Sequence, residues 1–239
     1  MDKYLTFKFK KFDIGHQNSA MKIGTDGILL GAWANLIGCR NVLDLGTGSG
    51  LVALMCAQRY GDIKFTGLDI DKEASIQARI NFENSPFSDQ LKSVHSSIQE
   101  FKNEDQVQFD AIVSNPPFFK DSLKAENIQR NTARHTDNLS MDELFQFSSN
   151  LLHEGGKLII IYPFDQLSQL NQVALNYNFH VDKQVNISHN SSKHPKRVLL
   201  EYLYKAETRK LIIDFNIRND KGEYSNEYIS LTKDYHPFL

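Results

Sequence analysis

The chain has 239 residues, of which 41% are apolar and 23% charged, a composition that suits one globular domain or one domain with a small appendage. Its formal net charge of −2 excludes a general positive field, so a nucleic-acid partner would have to be held by local basic patches. Two cysteines, Cys39 and Cys56, without CxxC or Cys/His spacing, exclude a disulfide framework and a zinc site. With no apolar run near the ~18 residues of a membrane helix, and no apolar leader after Met1-Asp-Lys-Tyr4, a cytoplasmic, metal-free chain is expected.

In chain order, Tyr4 to Ile14 alternates imperfectly and reads as a hairpin or edge strand with Lys8 and Lys10 outward. A helix follows in Met21–Trp33, capped by Thr25 or Asp26, with a stripe of Ile28, Leu29, Ala32, Trp33 and Leu36. From Asn41 strands and helices alternate. Strands are expected at Val42–Leu45, Phe65–Leu68, Lys92–His95, Phe109–Ser114 and Lys157–Tyr162. Helices are expected from Leu51 to about Arg59, over Glu73–Asn84, Met141–Leu152 and Phe164–Tyr177. Two late strands, near His180–Ile187 and Arg197–Tyr204, are joined by a loop too short for a helical crossover and should pair antiparallel. The tail adds a strand-like Leu211–Ile217 and a helix-like Asn226–Asp234. This rhythm predicts an α/β fold with a mostly parallel, doubly wound sheet and a C-terminal antiparallel hairpin.

Ligands of such sheets bind at the C-terminal strand ends, and there the sequence keeps its unusual residues. Asn41-Val-Leu-Asp-Leu-Gly-Thr-Gly-Ser-Gly50 runs from a strand through alternating glycines into a helix, which offers backbone N–H groups to a nucleotide. Its D-x-G-x-G-x-G order differs from the G-x-G-x-x-G of nicotinamide enzymes. Asp69 lies 19 residues after Gly50, where a carboxylate meets a ribose diol, and Asp71 suits a helix cap. Asp44 is expected to orient the loop or the cofactor's far end.

Asn115-Pro-Pro-Phe118 follows a buried strand. Two prolines stiffen the backbone, Asn115 Oδ1 and the Pro116 carbonyl are acceptors for the two N–H bonds of a planar amine, and Phe118 can stack on its ring. Accepting those hydrogens aims the nitrogen lone pair at an electrophile. Cys39 and Cys56 read as packing residues, so no cysteine nucleophile is expected.

The glycine loop resembles the S-adenosylmethionine (SAM) loop of class I methyltransferases. Together with Asn115–Phe118, Met21–Trp33, Ala133-Arg-His-Thr136 and Lys193-His-Pro-Lys-Arg-Val-Leu-Leu200, the chain from about Phe7 to Tyr204 resembles the bacterial tRNA1(Val) (adenine-37-N6)-methyltransferases. The resemblance implies a Rossmann-like, seven-stranded sheet, SAM as cofactor, and N6 of adenosine 37 in the tRNA anticodon loop as target. One methyltransferase domain is implied over 1–239, with a cap (1–38), a catalytic core (39–205) and a C-terminal extension (206–239). Cofactor residues would be Lys22, Thr25, Asp26, Asp44, Gly46, Thr47, Gly48, Gly50, Asp69, Ile70, Ser97 and Asn115. The catalytic set would be Asn115, Pro116, Pro117 and Phe118. Ser97 stands near where many such enzymes keep an acid for the adenine amine, leaving its Oγ or a backbone group for that role.

Basic residues cluster at Lys8, Lys10 and Lys11, at Arg130 and Arg134, and at Lys193, Lys196 and Arg197. With Phe118, the last two clusters are the expected RNA contacts, and splayed loop bases would reach such a site without opening a duplex. A monomer is expected. Competing readings are the same chemistry on a release-factor glutamine, an rRNA guanine or a DNA adenine, and a non-catalytic member that binds SAM or RNA. The Met21–Trp33 segment favours tRNA.

Overall fold

The computed structural model describes residues 6–15, 23–102, 108–116 and 139–237. Two short strands, β1 (Thr6–Lys8) and β2 (Asp13–Gly15), form the expected N-terminal hairpin as a separate ladder. Then come α1 (Thr25–Trp33), β3 (Asn41–Leu45), α2 (Leu51–Arg59), β4 (Lys64–Asp69), α3 (Lys72–Glu83), β5 (Leu91–His95) and β6 (Phe109–Ser114). They are followed by α4 (Met141–Leu151), β7 (Leu152–Pro163), α5 (Leu167–Asn176), β8 (Phe179–Ser188), β9 (Arg197–Tyr204), β10 (Leu211–Asn216) and α6 (Asn226–Thr232).

The main sheet has the order β10-β8-β9-β7-β6-β3-β4-β5. Only β9 runs against the rest, pairing antiparallel with both β7 and β8. The mostly parallel sheet with one late antiparallel hairpin is as expected. It has eight strands, not seven, because the tail strand β10 adds in parallel to β8. Alternation along the strands explains the two layers. Val42, Ala111, Val113, Ile159, Ile161 and Leu199 face a core shared with α1, α2 and α3. Leu43, Leu45, Ile112, Leu158, Ile160 and Leu200 face α4 and α5.

Local sequence accounts for the elements that set up the site. Ser140 and Glu143 close a capping box on α4, and Asp71 caps α3 by accepting from the Glu73 and Ala74 amides. Thr25 and Asp26 do not cap α1, whose N-cap is Gly24 without a side-chain bond. Close approach of α1 to α2 needs Gly31, where a Cβ would stand 2.8 Å from Met55 Cβ. Gly155 and Gly156 precede the strand expected at Lys157–Tyr162, but the observed β7 is longer. They lie within it, beside a register shift against β6. The tail folds back onto the N-terminal half, where Tyr235 donates to the Met55 carbonyl and accepts, through its own carbonyl, from the Lys10 amide.

Candidate active site

Strand register brings the unusual residues to one level. Leu45 of β3 stands opposite Ser114 of β6 and Leu68 of β4, and Asp69 stands opposite His95 of β5. Gly46, Asn115, Ile70 and Ser96 therefore leave four adjacent strands side by side at their C-terminal ends. Ser114 Oγ donates to the Leu45 carbonyl at 2.7 Å and ties the two central strand tips together.

Each alternating glycine of the loop has a left-handed backbone, with φ of +69° at Gly46, +56° at Gly48 and +83° at Gly50. At Gly46 and Gly48 a Cβ would meet nothing within 4 Å, so the loop opens onto free space. At Gly50 it would fall 2.3 Å from Phe82 Cε1, so the loop's end is packed tightly against α3. The loop is held from beneath by Asp44, which is buried and accepts from Thr47 Oγ1 at 2.7 Å and from the Ala53 amide at 3.2 Å. Burial raises the Asp44 carboxyl to about 7, against the opposing pull of those two donors.

Asp69 holds the loop from the side. Its Oδ2 accepts from the Gly48 amide at 2.8 Å, and its Oδ1 accepts from the Asp71 amide at 2.9 Å. Burial raises this carboxyl too, with the two amides pulling it back. A carboxylate has about four acceptor positions, so both oxygens retain capacity for hydroxyl donors. Ile70, next in the chain, is 47% exposed and offers an apolar surface beside that carboxylate. Ser97 donates to Glu100 Oε2 at 3.2 Å and accepts from the Glu100 amide, so a nearby acid does accompany it.

Asn115 follows β6, and its Oδ1 is buried without a hydrogen-bond partner. A buried, unmet amide acceptor costs about 1–3 kcal/mol, and this oxygen keeps its full capacity to accept a hydrogen bond. Over it lies the first turn of α1: a Cβ on Gly27 would stand 3.8 Å from Asn115 Nδ2 and 3.0 Å from Leu51 Cδ2. Pro116 is buried beside Asn115. Lys22, Pro117, Phe118, Arg130 and Arg134 lie outside the described residues. Cys56 is buried and its thiol is pushed up to about 12, while burial also raises Cys39, so neither presents a ready thiolate.

Thr25 is exposed at the start of α1, and Asp26 is half-buried. Asp26 Oδ2 accepts from Arg197 Nε at 2.7 Å, which joins two residues that the sequence alone assigns to different ligands. Lys193 and Lys196 are exposed in the β8–β9 loop. Lys10 Nζ donates to the Lys233 carbonyl at 2.6 Å, on the tail.

Asn81 of α3 escaped the sequence reading. Its Nδ2 donates to the Gly15 and Ser49 carbonyls, both at 2.8 Å, so it links the N-terminal hairpin to the glycine loop. The signal was present: Gln77 and Asn81 interrupt the buried face that Ala74 and Ala78 begin. Polar residues there need buried partners.

Among the described residues no group of three or more His, Cys, Asp or Glu is arranged to hold a metal, and no helix is long and apolar enough to cross a membrane. The open glycine loop, the lateral carboxylate and the unpartnered amide thus lie together at the C-terminal edge of the sheet.

Residues 23–190 match the methyltransferase small domain family. A tRNA1(Val) (adenine(37)-N6)-methyltransferase of Phocaeicola vulgatus is 43% identical over 230 residues, covering 96% of this chain and 97% of that protein. One of the same name from Trichodesmium erythraeum is 40% identical over 235 residues, with 96% and 97% covered. Among solved structures, a chain from Agrobacterium tumefaciens described as a predicted O-methyltransferase has a TM-score of 0.69 at 17% identity, covering 88% of this chain and 96% of that one. A glycopeptide N-methyltransferase solved with SAM has a TM-score of 0.54 at 13% identity, covering 77% and 97%. These two likenesses concern the fold. The identity to the first two over nearly the whole length is what assigns this chain to the tRNA1(Val) (adenine(37)-N6)-methyltransferase family, within the methyltransferase small domain group.

Proposed function

We propose that this protein transfers the methyl group of SAM to the exocyclic N6 amine of adenosine 37, next to the anticodon, in a valine tRNA. The observation that carries the reading is Asn115: a buried amide oxygen without a partner, level with an open glycine loop, in a chain whose relatives are named for this reaction.

SAM, when bound, supplies an electrophilic sulfonium methyl. Gly46 and Gly48 would leave room for it, and Asp69 would accept from its ribose hydroxyls, with Ile70 against the adenine. Asp44 sets the loop through Thr47. Asn115 Oδ1 and the Pro116 carbonyl accept the two N6 hydrogens, which draws the nitrogen out of conjugation and directs its lone pair. Phe118 stacks on the base. With SAM bound, the N–C bond would form as the S–C bond broke, the electron pair would leave with sulfur, and the extra proton on N6 would pass to water. Positioning at ~3–3.5 Å supplies most of the rate. Lys193 and Lys196, with Arg130 and Arg134, contact phosphates. The reaction belongs in the cytoplasm. The described residues of one chain supply both the loop and the amide, which supports a monomer.

The test offers SAM with total tRNA, rRNA, genomic DNA and release factor in parallel, followed by mass spectrometry. Methyl on tRNA adenosine 37 is expected, and methyl on DNA or protein alone would refute the reading. Asn115→Ala should keep SAM affinity within about twofold and lower single-turnover transfer by about 10²–10³, the usual scale for losing one preorganised polar group.

A further inference from the structure

Arg197 stands among the basic residues of the β8–β9 hairpin, yet its guanidinium turns inward. Nε donates to Asp26 Oδ2 at 2.7 Å and Nη1 donates to the Lys196 carbonyl at 3.1 Å. The pair is partly shielded, with side-chain exposures of 36% and 27%. Its Arg197 end is anchored in the sheet: this residue opens β9, opposite Pro163 on β7 and Ile187 on β8. The adjoining Lys196 amide donates to the Ile187 carbonyl, and the Phe164 amide donates to the Lys196 carbonyl.

At its other end, Asp26 lies in the first turn of α1, a turn whose N-cap makes no side-chain bond. At the next residue, Gly27, an added Cβ would stand 3.0 Å from Cδ2 of Leu51, the first residue after the glycine loop, and 3.8 Å from Asn115 Nδ2, so α1 passes close to both. A shift of α1 by a fraction of an ångström would therefore change the space above the amide that receives the target amine. Packing elsewhere on α1 fixes its length against α2 through Gly31 and Met55. Of the described side chains, that of Arg197 forms the ion pair at its first turn.

We propose that Arg197 is a positioning residue for methyl transfer: through Asp26 it fixes the first turn of α1 over Asn115, so that the hairpin facing the RNA also supports the reacting site. The inference rests on Asn115 being the group that receives the amine. It parts Arg197 from its neighbours Lys193 and Lys196, whose work is phosphate contact.

The two roles give different signatures. A phosphate contact acts on binding, uniformly, and its loss lowers the slope of log K against log salt by about one. A positioning residue acts on transfer from the saturated complex, because near-attack geometry is sensitive to small displacements. Single-turnover transfer, tRNA affinity at several salt concentrations and SAM affinity are measured for Arg197→Ala, Arg197→Lys, Asp26→Asn and the Asp26→Asn/Arg197→Ala double variant. Expected are losses of about 10- to 100-fold in transfer for Arg197→Ala and for Asp26→Asn. The double variant should be no worse than the poorer single one, and the salt slope should be unchanged in all. Arg197→Lys keeps a positive charge without the Nε geometry, so it should keep tRNA affinity and lose transfer. The exchanged pair Asp26→Arg/Arg197→Asp should recover part of the loss.

The proposal is overturned if Arg197→Ala lowers the salt slope by about one while Asp26→Asn transfers like the wild type. It is equally overturned if the losses of the two single variants multiply in the double. Failure of the underlying reading looks different: Asn115→Ala would then transfer normally, whatever the pair does.

Discussion

Asn81 and Gly15 are joined by two hydrogen bonds of opposite sense: Asn81 Oδ1 accepts from the Gly15 amide at 2.9 Å and Asn81 Nδ2 donates to the Gly15 carbonyl at 2.8 Å. One side chain on α3 thus pairs with backbone as a neighbouring strand would. Its second amide proton goes to the Ser49 carbonyl, so the end of β2 and the glycine loop share a single support. Space is tight as well, since a Cβ on Gly15 would stand 2.9 Å from Gln77 Nε2.

Removing that support should be felt in stability and in cofactor affinity together. Asn81→Ala leaves half-buried backbone groups of Gly15 and the buried Ser49 carbonyl unmet and should cost about 2–4 kcal/mol in urea unfolding. Asn81→Asp should not rescue it, because a carboxylate accepts from the Gly15 amide but cannot donate to either carbonyl. A loss below about 0.5 kcal/mol in either variant would show that these hydrogen bonds do not hold the junction together.

Two glycines of the loop should separate stability from binding. Gly50→Ala adds a Cβ at positive φ and into the Phe82 ring, so it should destabilise by about 2–4 kcal/mol. Gly46→Ala meets no protein atom and should cost only about 1–2 kcal/mol from its backbone. Its methyl would point into the space that SAM is proposed to fill, so its SAM affinity should fall at least tenfold. Thermal melts and calorimetric titration of the two variants distinguish these effects.

Asp44 should make stability fall with rising pH across a defined window. Its folded-state value of about 7 lies above the ordinary 3.8, so between those values the folded chain binds the extra proton and the unfolded chain does not. Stability contributed by the protonated form is complete below 3.8, declines as pH rises towards 7, and is lost above it, a change on the order of 4 kcal/mol. Asp69, raised in the same direction, adds to the decline. Asp44→Asn should remove Asp44's share, so its stability relative to wild type should improve from about pH 4 to about pH 8. An unchanged difference across that range would place the wild-type carboxylate in its ordinary titration range.

Lys193 and Lys196 should behave as phosphate contacts. Neutralising both as Lys193→Ala/Lys196→Ala should weaken tRNA binding and reduce the salt slope by about two, with SAM affinity unchanged. Filter binding from low to high salt reads this directly. Parallel slopes for variant and wild type would exclude both residues from the RNA interface.

Much of this was legible in the residues because local chemistry dictated it. The order of strands and helices followed from apolar spacing, and alternating glycines announced a loop between the first core strand and its helix, where the structure places three left-handed residues. Asp71 preceding Lys72-Glu-Ala announced a cap, and the short loop between Ser188 and Arg197 required antiparallel pairing. Local reasoning misjudged Thr25 and Asp26, which are good caps in isolation. Gly24 takes that place, and the Asp26 carboxylate finds a stronger partner in Arg197, 171 positions away.

By itself the sequence determined the sheet class, the glycine loop and the Asn-Pro-Pro-Phe motif, since each depends on residues close together in the chain. Only the tertiary structure decided that β10 extends the sheet to eight strands, that Asn81 unites the first hairpin with the loop, and that Asn115 Oδ1 is buried without a partner. The physical reason is range. Dihedral preference and periodicity act over a few residues, whereas the partner of a buried polar group is chosen by what the folded chain brings within about 3 Å of it.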